Sequence, residues 1–412
     1  MSTLHPFKGF RPTKELCSKI AALPYDVMSS AEAREMVKDD PYSFLHVDRA
    51  EIDLPEGTDI YSEEVYCKAA DNLNSMIKDG AYIQDKEPVL YVYRLTMDGR
   101  SQTGLVGCSA IDEYINGSIK KHELTRADKE QDRINHVDHC NANTGPIFLT
   151  YRGKTEIDEV IEEVTKAQPE YDFVSEDGVG HTVWVIDDKA TIDSLVELFA
   201  GVDSLYIADG HHRNASAVKV GIKRREVACE YTGDEEFNFY LSVLFPDSQL
   251  HIMDYNRVVK DLNGLTNEEF ANKLSEKFDI TPVEGVCKPE KAHTFGMYME
   301  GKWYLLAAKD SILSDDPVEG LDVSILQNHV LSPILGIGDP RTDKRIDFVG
   351  GIRGLGELEK RVNSGEMSVA FAMYPTSMAE LMAIADSGRI MPPKSTWFEP
   401  KLRSGIFVHK LD

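Results

Sequence analysis

Apolar residues recur along the chain with two alternating periods. Over 61–80 (YSEEVYCKAADNLNSMIKDG), Val65, Ala69, Leu73 and Met76 fall at helical spacing, and Gly80 offers a natural stop. The runs 89–95 and 103–111 are strand-like, and Met97-Asp98-Gly99 between them predicts a hairpin turn. Strands are expected at 146–151 and 181–186, helices at 153–167 and 191–199, with Thr191 as a candidate N-cap. The stretch 204–208 (SLYIA) is a short, nearly all-apolar strand that runs into Asp209, with a helix at 214–220 beyond it. A strand at 237–245 follows, with 250–259 expected as its hairpin partner. The last third predicts helices at 267–277, 322–335, 355–363 and 377–387, and strands at 294–299, 302–307 and 368–374.

Strands and helices are intermixed and several hairpins stand out. That pattern implies an α+β (mixed α/β) fold with mixed sheets and flanking helices rather than a regular barrel. At ~150 residues per domain, 412 residues suggest two or three domains. The expected division is an N-terminal α+β region at 1–112, a core at 113–260 and a C-terminal α+β domain at 261–412.

Charge narrows the function classes. Lys and Arg number 45 against 70 Asp and Glu, a formal net charge of −25. A nucleic-acid binder needs a basic footprint, so nucleic acid is not an expected partner, although a small basic pocket for one nucleotide remains compatible. No run of 18 apolar residues occurs, so no membrane span is expected. The opening MSTLHPFKGFRP lacks the apolar core of a secretory signal, which makes the cytoplasm the expected location. Cys17, Cys67, Cys108, Cys140, Cys229 and Cys287 are scattered without a C-x-x-C pair and are expected as free thiols.

The densest chemistry lies at 205–217 (LYIADGHHRNASA). A buried strand ends at Asp209, Gly210 permits a tight turn, and His211, His212 and Arg213 fall at the start of a helix. Helix N-termini expose unsatisfied N–H groups and partial positive charge, Arg supplies a bidentate fork, and imidazoles donate hydrogen bonds or carry protons. Together these make an anion site, most naturally for phosphate. A metal reading with Asp209, His211 and His212 as ligands is weaker, because adjacent histidines rarely point at one centre.

Upstream, Lys120-Lys121-His122-Glu123-Leu124-Thr125-Arg126, with Lys129 and Arg133 beyond, concentrates basic charge around a carboxylate. Glu123 is the candidate general base for an acceptor hydroxyl, with His122 beside it and Arg126, Lys129 or Arg133 toward phosphate. The plain alternative is a solvated helix laced with ion pairs. His136, His139 and Cys140 (HVDHC) lack a further ligand at short range and read as ordinary surface or packed residues. In 391–401 (MPPKSTWFEPK), Lys394, Ser395 and Thr396 are candidate phosphate contacts, or else the segment simply packs. No G-x-x-x-x-G-K-[ST] occurs, so a P-loop is excluded, and the glycines at 350–356 read as a turn.

The segments IADGHHRNASA, AALPYDVM at 21–28, IKKHELT at 119–125 and MPPKSTWFEPK resemble, in order and spread, the bacterial and archaeal "HHR" family, domain of unknown function 1015. One departure is the segment Asp254-Tyr255-Asn256-Arg257, where no histidine role carries over. More distantly, a His-Glu pair followed by a Gly-Pro-Ile strand and Asp-Gly-His-x-Arg before a helix resembles the ParB/sulfiredoxin-like fold, with an insertion between the motifs. That fold includes CTP-binding switches, sulfiredoxin and an ADP-dependent free serine kinase.

The resemblance implies that the turn holds nucleotide phosphates and that Glu123 serves as catalytic base, with His211 and His212 in the same site. It implies a phosphotransferase acting between ADP or ATP and a small hydroxyl compound, best L-serine or O-phosphoserine. Mg²⁺ is the expected cofactor, on Asp209 or Asp26. The alternatives are a nucleotide-binding regulatory module, or a phosphoserine phosphatase using the same site. Oligomeric state, monomer or homodimer, stays open.

Overall fold

The computed structural model describes residues 2–228 and 230–412. Cys229 lies outside the described residues, and the other five cysteines are free thiols. The chain divides into two units, Met1–Leu250 with Pro400–Asp412, and His251–Glu399. A boundary at 112/113 would run through the sheet of the first unit, which draws strands from both sides of it.

That sheet has eight strands: β1 (Leu90–Met97), β2 (Arg100–Ala110), β3 (Ile119–Lys120), β4 (Ile147–Tyr151), β5 (Tyr171–Val174), β6 (Gly180–Ile186), β7 (Leu205–Asp209) and β8 (Phe239–Pro246). Their spatial order is β3-β7-β4-β8-β2-β1-β6-β5. Pairings β3–β7 and β4–β8 are parallel and the others antiparallel, so the sheet is mixed as its alternation of helices and hairpins implied. The β1–β2 hairpin turns at Asp98 and Gly99, both at positive φ. The long helices of this unit are α1 (Glu63–Lys78), α2 (Ala127–Cys140), α3 (Thr155–Val164), α4 (Lys189–Ala200) and α5 (His211–Val227). For α4 the N-cap is Asp188, whose carboxylate accepts the Thr191 N–H at 2.9 Å, so Thr191 lies inside the first turn.

One core packs α3 and α4 on the sheet through Ile157, Ile161, Leu195 and Phe199 against Leu149, Leu205 and Ile207. A second joins the N-terminal segments to α1 through Phe44, Val47, Val65, Ala69 and Leu73. α2 packs against both α1 and α5, and residues Tyr25, Asp48, Arg133 and Arg213 line one small cavity.

The second unit contains a six-stranded, wholly antiparallel sheet: β9 (Tyr255–Val259), β10 (Phe278–Val283), β11 (Thr294–Met299), β12 (Lys302–Ala308), β13 (Ile346–Gly350) and β14 (Val369–Ala372), ordered β10-β12-β11-β14-β9-β13. The hairpin expected between 237–245 and 250–259 does not form. β8 takes β4 and β2 as neighbours, while β9 pairs with β13 and β14 in the other sheet. Short apolar runs carry no signal of which partner they choose. Among the described residues, no helix is long and apolar enough to cross a membrane.

Candidate functional site

The site is built on the end of β7. Against β4, its register runs Tyr206↔Thr150, Ile207↔Leu149 and then Asp209↔Phe148, a bulge that re-aims the last residue. Gly210 follows at φ +87, a left-handed conformation that L side chains adopt at a cost. A Cβ there would also come within 3.2 Å of the Arg213 guanidinium. Helix α5 begins at once, so His211, His212 and Arg213 form its first turn, and the helix extends well past the expected 214–220.

β3 pairs in parallel with the start of β7, with Leu205 opposite Ile119 and Tyr206 opposite Lys120. Two or three residues further on, His122 and Glu123 therefore emerge beside the β7–α5 turn. His122 bonds the Ile207 carbonyl. The rings of His122 and His211 meet edge to face at 4.5 Å. Ligating atoms of His122, Glu123 and His211 all lie within 4.8 Å of one another. Both imidazoles are buried and Glu123 is half-buried.

The adjacent histidines diverge, because successive helical residues point about 100° apart. His212 is half-buried, and its Nε2 accepts the Arg126 N–H at 3.0 Å, which places the ring proton on Nδ1. The guanidinium of Arg126 is exposed and bonds the Asp128 carboxylate at 2.7 Å. Arg213 is half-buried, and its Nη1 donates to the Pro146 carbonyl at 2.8 Å.

The electrostatics follow from burial and pairing. Burial pushes His122 down to about 4 against the opposing pull of Asp209. It pushes His211 well below its ordinary value, helped by His122. His212 is lowered by burial too, with Asp26 opposing. At Asp209 burial works against the charge, but Lys401 and then Arg213 outweigh it and hold the carboxyl at about 2. Lys401 reaches Asp209 at 3.2 Å, and the Gly210 N–H donates to the other carboxylate oxygen at 2.9 Å. Sequence reasoning missed Lys401, although it closes the MPPKSTWFEPK segment.

Arg213 also borders a cavity of about 30 Å³ lined by Tyr25, Asp48, Arg133 and Asn143. Arg133 lies over the Tyr25 ring at 4.0 Å and bonds Asp132 at 3.0 Å, while Asp48 accepts from Thr144 at 2.9 Å. Tyr25 opens a short 3₁₀ turn (Tyr25–Val27) and Asp48 ends a one-turn helix (Leu45–Asp48).

Lys394, Ser395 and Thr396 belong to the second unit. The Ser395 hydroxyl donates to the Pro392 carbonyl at 2.6 Å, and Lys394, at φ +61, lies over the Tyr255 ring at 5.6 Å. His136 and His139 diverge, toward the Val47 and Asn135 carbonyls. His139 instead groups with Glu63 and Cys67 on the surface.

Mg²⁺ prefers a set of hard oxygen ligands. Among the described residues, neither Asp209 nor Asp26 belongs to a group of three donors, and Asp209 is already paired with a lysine. The His122, Glu123 and His211 group is imidazole-rich, whereas Mg²⁺ is held by one or two carboxylates together with waters and substrate phosphates, for which Asp209 or Asp26 would be the protein ligand.

Comparison with solved structures finds a conserved hypothetical protein from Pyrococcus furiosus at 16% identity and TM-score 0.35, covering 73% of this chain and 93% of that one. A free serine kinase in complex with AMP matches at 15% identity and TM-score 0.35, over 73% and 91%. SbnI with a C-terminal truncation, from Staphylococcus aureus, matches at 10% identity and TM-score 0.38, over 73% and 85%. No curated protein matches. The family model described as "Protein of unknown function (DUF1015)" matches residues 4–324, and the chain belongs to that family.

Proposed function

We propose that the chain is a nucleotide-dependent phosphotransferase, moving a phosphoryl group between ADP or ATP and a small hydroxyl compound, with L-serine or O-phosphoserine as the first pair to test. One convergence supports the reading. Glu123 sits within 4.8 Å of His211, in the first turn of a helix whose start also carries Arg213.

The roles follow from chemistry. N–H groups at the start of α5 and the Arg213 fork bind the donor phosphates. The acceptor oxygen attacks the terminal phosphorus, and its proton passes to the Glu123 carboxylate. The bond to the bridging oxygen breaks, and the nucleotide departs with that charge held by Arg213.

The test follows phosphoryl transfer in both directions beside direct nucleotide binding. Glu123→Gln is expected to lower turnover roughly 10²–10⁴-fold with nucleotide affinity unchanged. Nucleotide binding without transfer to or from any hydroxyl acceptor overturns the reading and leaves a nucleotide-operated binding module.

A further inference from the structure

The geometry points to a site for a divalent first-row transition ion of the zinc–cobalt class, held by His122, Glu123 and His211. Three observations carry it. The ligating atoms of the three side chains lie within 4.8 Å of one another, although the residues come from two distant stretches of sequence. His211 is 7% exposed, and among the described residues its Nε2 meets no hydrogen-bond partner, so a buried lone pair or N–H is left over. His122, 1% exposed, bonds the Ile207 carbonyl, and that bond fixes the proton on one ring nitrogen and presents the lone pair of the other.

The chemistry of the donors selects the ion. Two imidazoles with one carboxylate suit zinc, cobalt or iron and are poorly matched to magnesium or calcium. Such an ion binds an imidazole through the nitrogen that carries no proton. The Asp209 carboxylate adds negative potential near the group, partly offset by Lys401 at 3.2 Å. Three protein ligands leave a coordination position open, which a water or a substrate oxygen can take. A carboxylate has two oxygens, so ligation by one leaves the other for a proton. The inference does not require the phosphotransferase reading, because the ion is measured directly.

The full-length protein is stripped with a chelator and titrated with Zn²⁺, then with Co²⁺ to read the visible d–d bands. One tightly bound equivalent is expected, with bands of an imidazole- and carboxylate-ligated ion. His211→Ala and Glu123→Gln should each weaken binding by ~100-fold, at least what loss of an outer partner costs. Glu123 is half-buried, so its variant reports even if His211→Ala folds poorly. The surface group of Glu63, Cys67 and His139 is the competing site, and Cys67→Ser is expected to leave the tight equivalent intact. Loss of binding in Cys67→Ser with retention in Glu123→Gln, or no tight equivalent in the wild type, overturns the assignment.

Discussion

The rings of His122 and His211 stand edge to face, with centroids 4.5 Å apart and planes at 89°. Neither ring tolerates charge there, because burial lowers both and His122 lowers His211 further. Below its ordinary 6.5 an imidazole is protonated in the unfolded chain but stays neutral in the folded one. The unfolded state then binds more protons, so stability is full above pH 6.5 and falls as pH drops toward about 4 for His122, and further for His211. Buried His181, lowered to about 3, adds to the same slope. Thermal or urea unfolding at several pH values checks this. His122→Gln should flatten the wild-type loss by on the order of 3 kcal/mol across the window. An unchanged slope would mean that His122 titrates normally.

Gly210 carries a second expectation. Its φ of +87 and the Arg213 guanidinium 3.2 Å from any added Cβ both oppose a side chain. Gly210→Ala should destabilise by ~1–2 kcal/mol from the backbone alone. It should also displace Arg213 and weaken nucleotide binding. Denaturant unfolding and calorimetric titration with ADP separate the two effects, and a variant as stable as wild type would show that the turn relaxes without strain.

The strand-to-helix turn was legible because its signals are local: an apolar run, then Asp-Gly, then polar residues at a helix start. The β1–β2 hairpin was legible for the same reason, with Asp98-Gly99 at its tip. The approach of Glu123 to His211 has no local signal. It arises from a two-residue parallel pairing of β3 with β7, shorter than any periodicity can reveal. The separation of β8 from β9 into different sheets was illegible too, since each run would suit either partner. Lys401 reaches Asp209 only because Pro400–Asp412 returns to the first unit, a contact set by long-range packing.

That return yields a third expectation. Lys401 and Asp209 pair at 3.2 Å, with the lysine side chain 11% exposed. Lys401→Met leaves a half-buried carboxylate with a lost partner and should destabilise by ~1 kcal/mol. The double variant with Asp209→Asn should recover part of that loss. Asp209 is held at about 2, below its ordinary 3.8, so its contribution is complete above pH 3.8 and disappears as pH falls toward 2. A double-mutant cycle by chemical denaturation reads the coupling, and a coupling near zero would make the pair incidental.

Arg213 separates a phosphate-binding role from a structural one. Its Nη1 already bonds the Pro146 carbonyl at 2.8 Å, which orients the guanidinium and leaves its other N–H groups to meet an anion. Arg213→Ala should weaken ADP and ATP binding by roughly 10–150-fold, the 1.5–3 kcal/mol of a charge-assisted contact. Arg213→Lys keeps the charge without the fork and should fall between wild type and Ala. Adenosine affinity should not change in either variant, because it carries no phosphate. If Arg213→Ala lowers only thermal stability and the nucleotides bind as before, the phosphates are held elsewhere, and the turn serves to fasten α5 to the strand at Pro146.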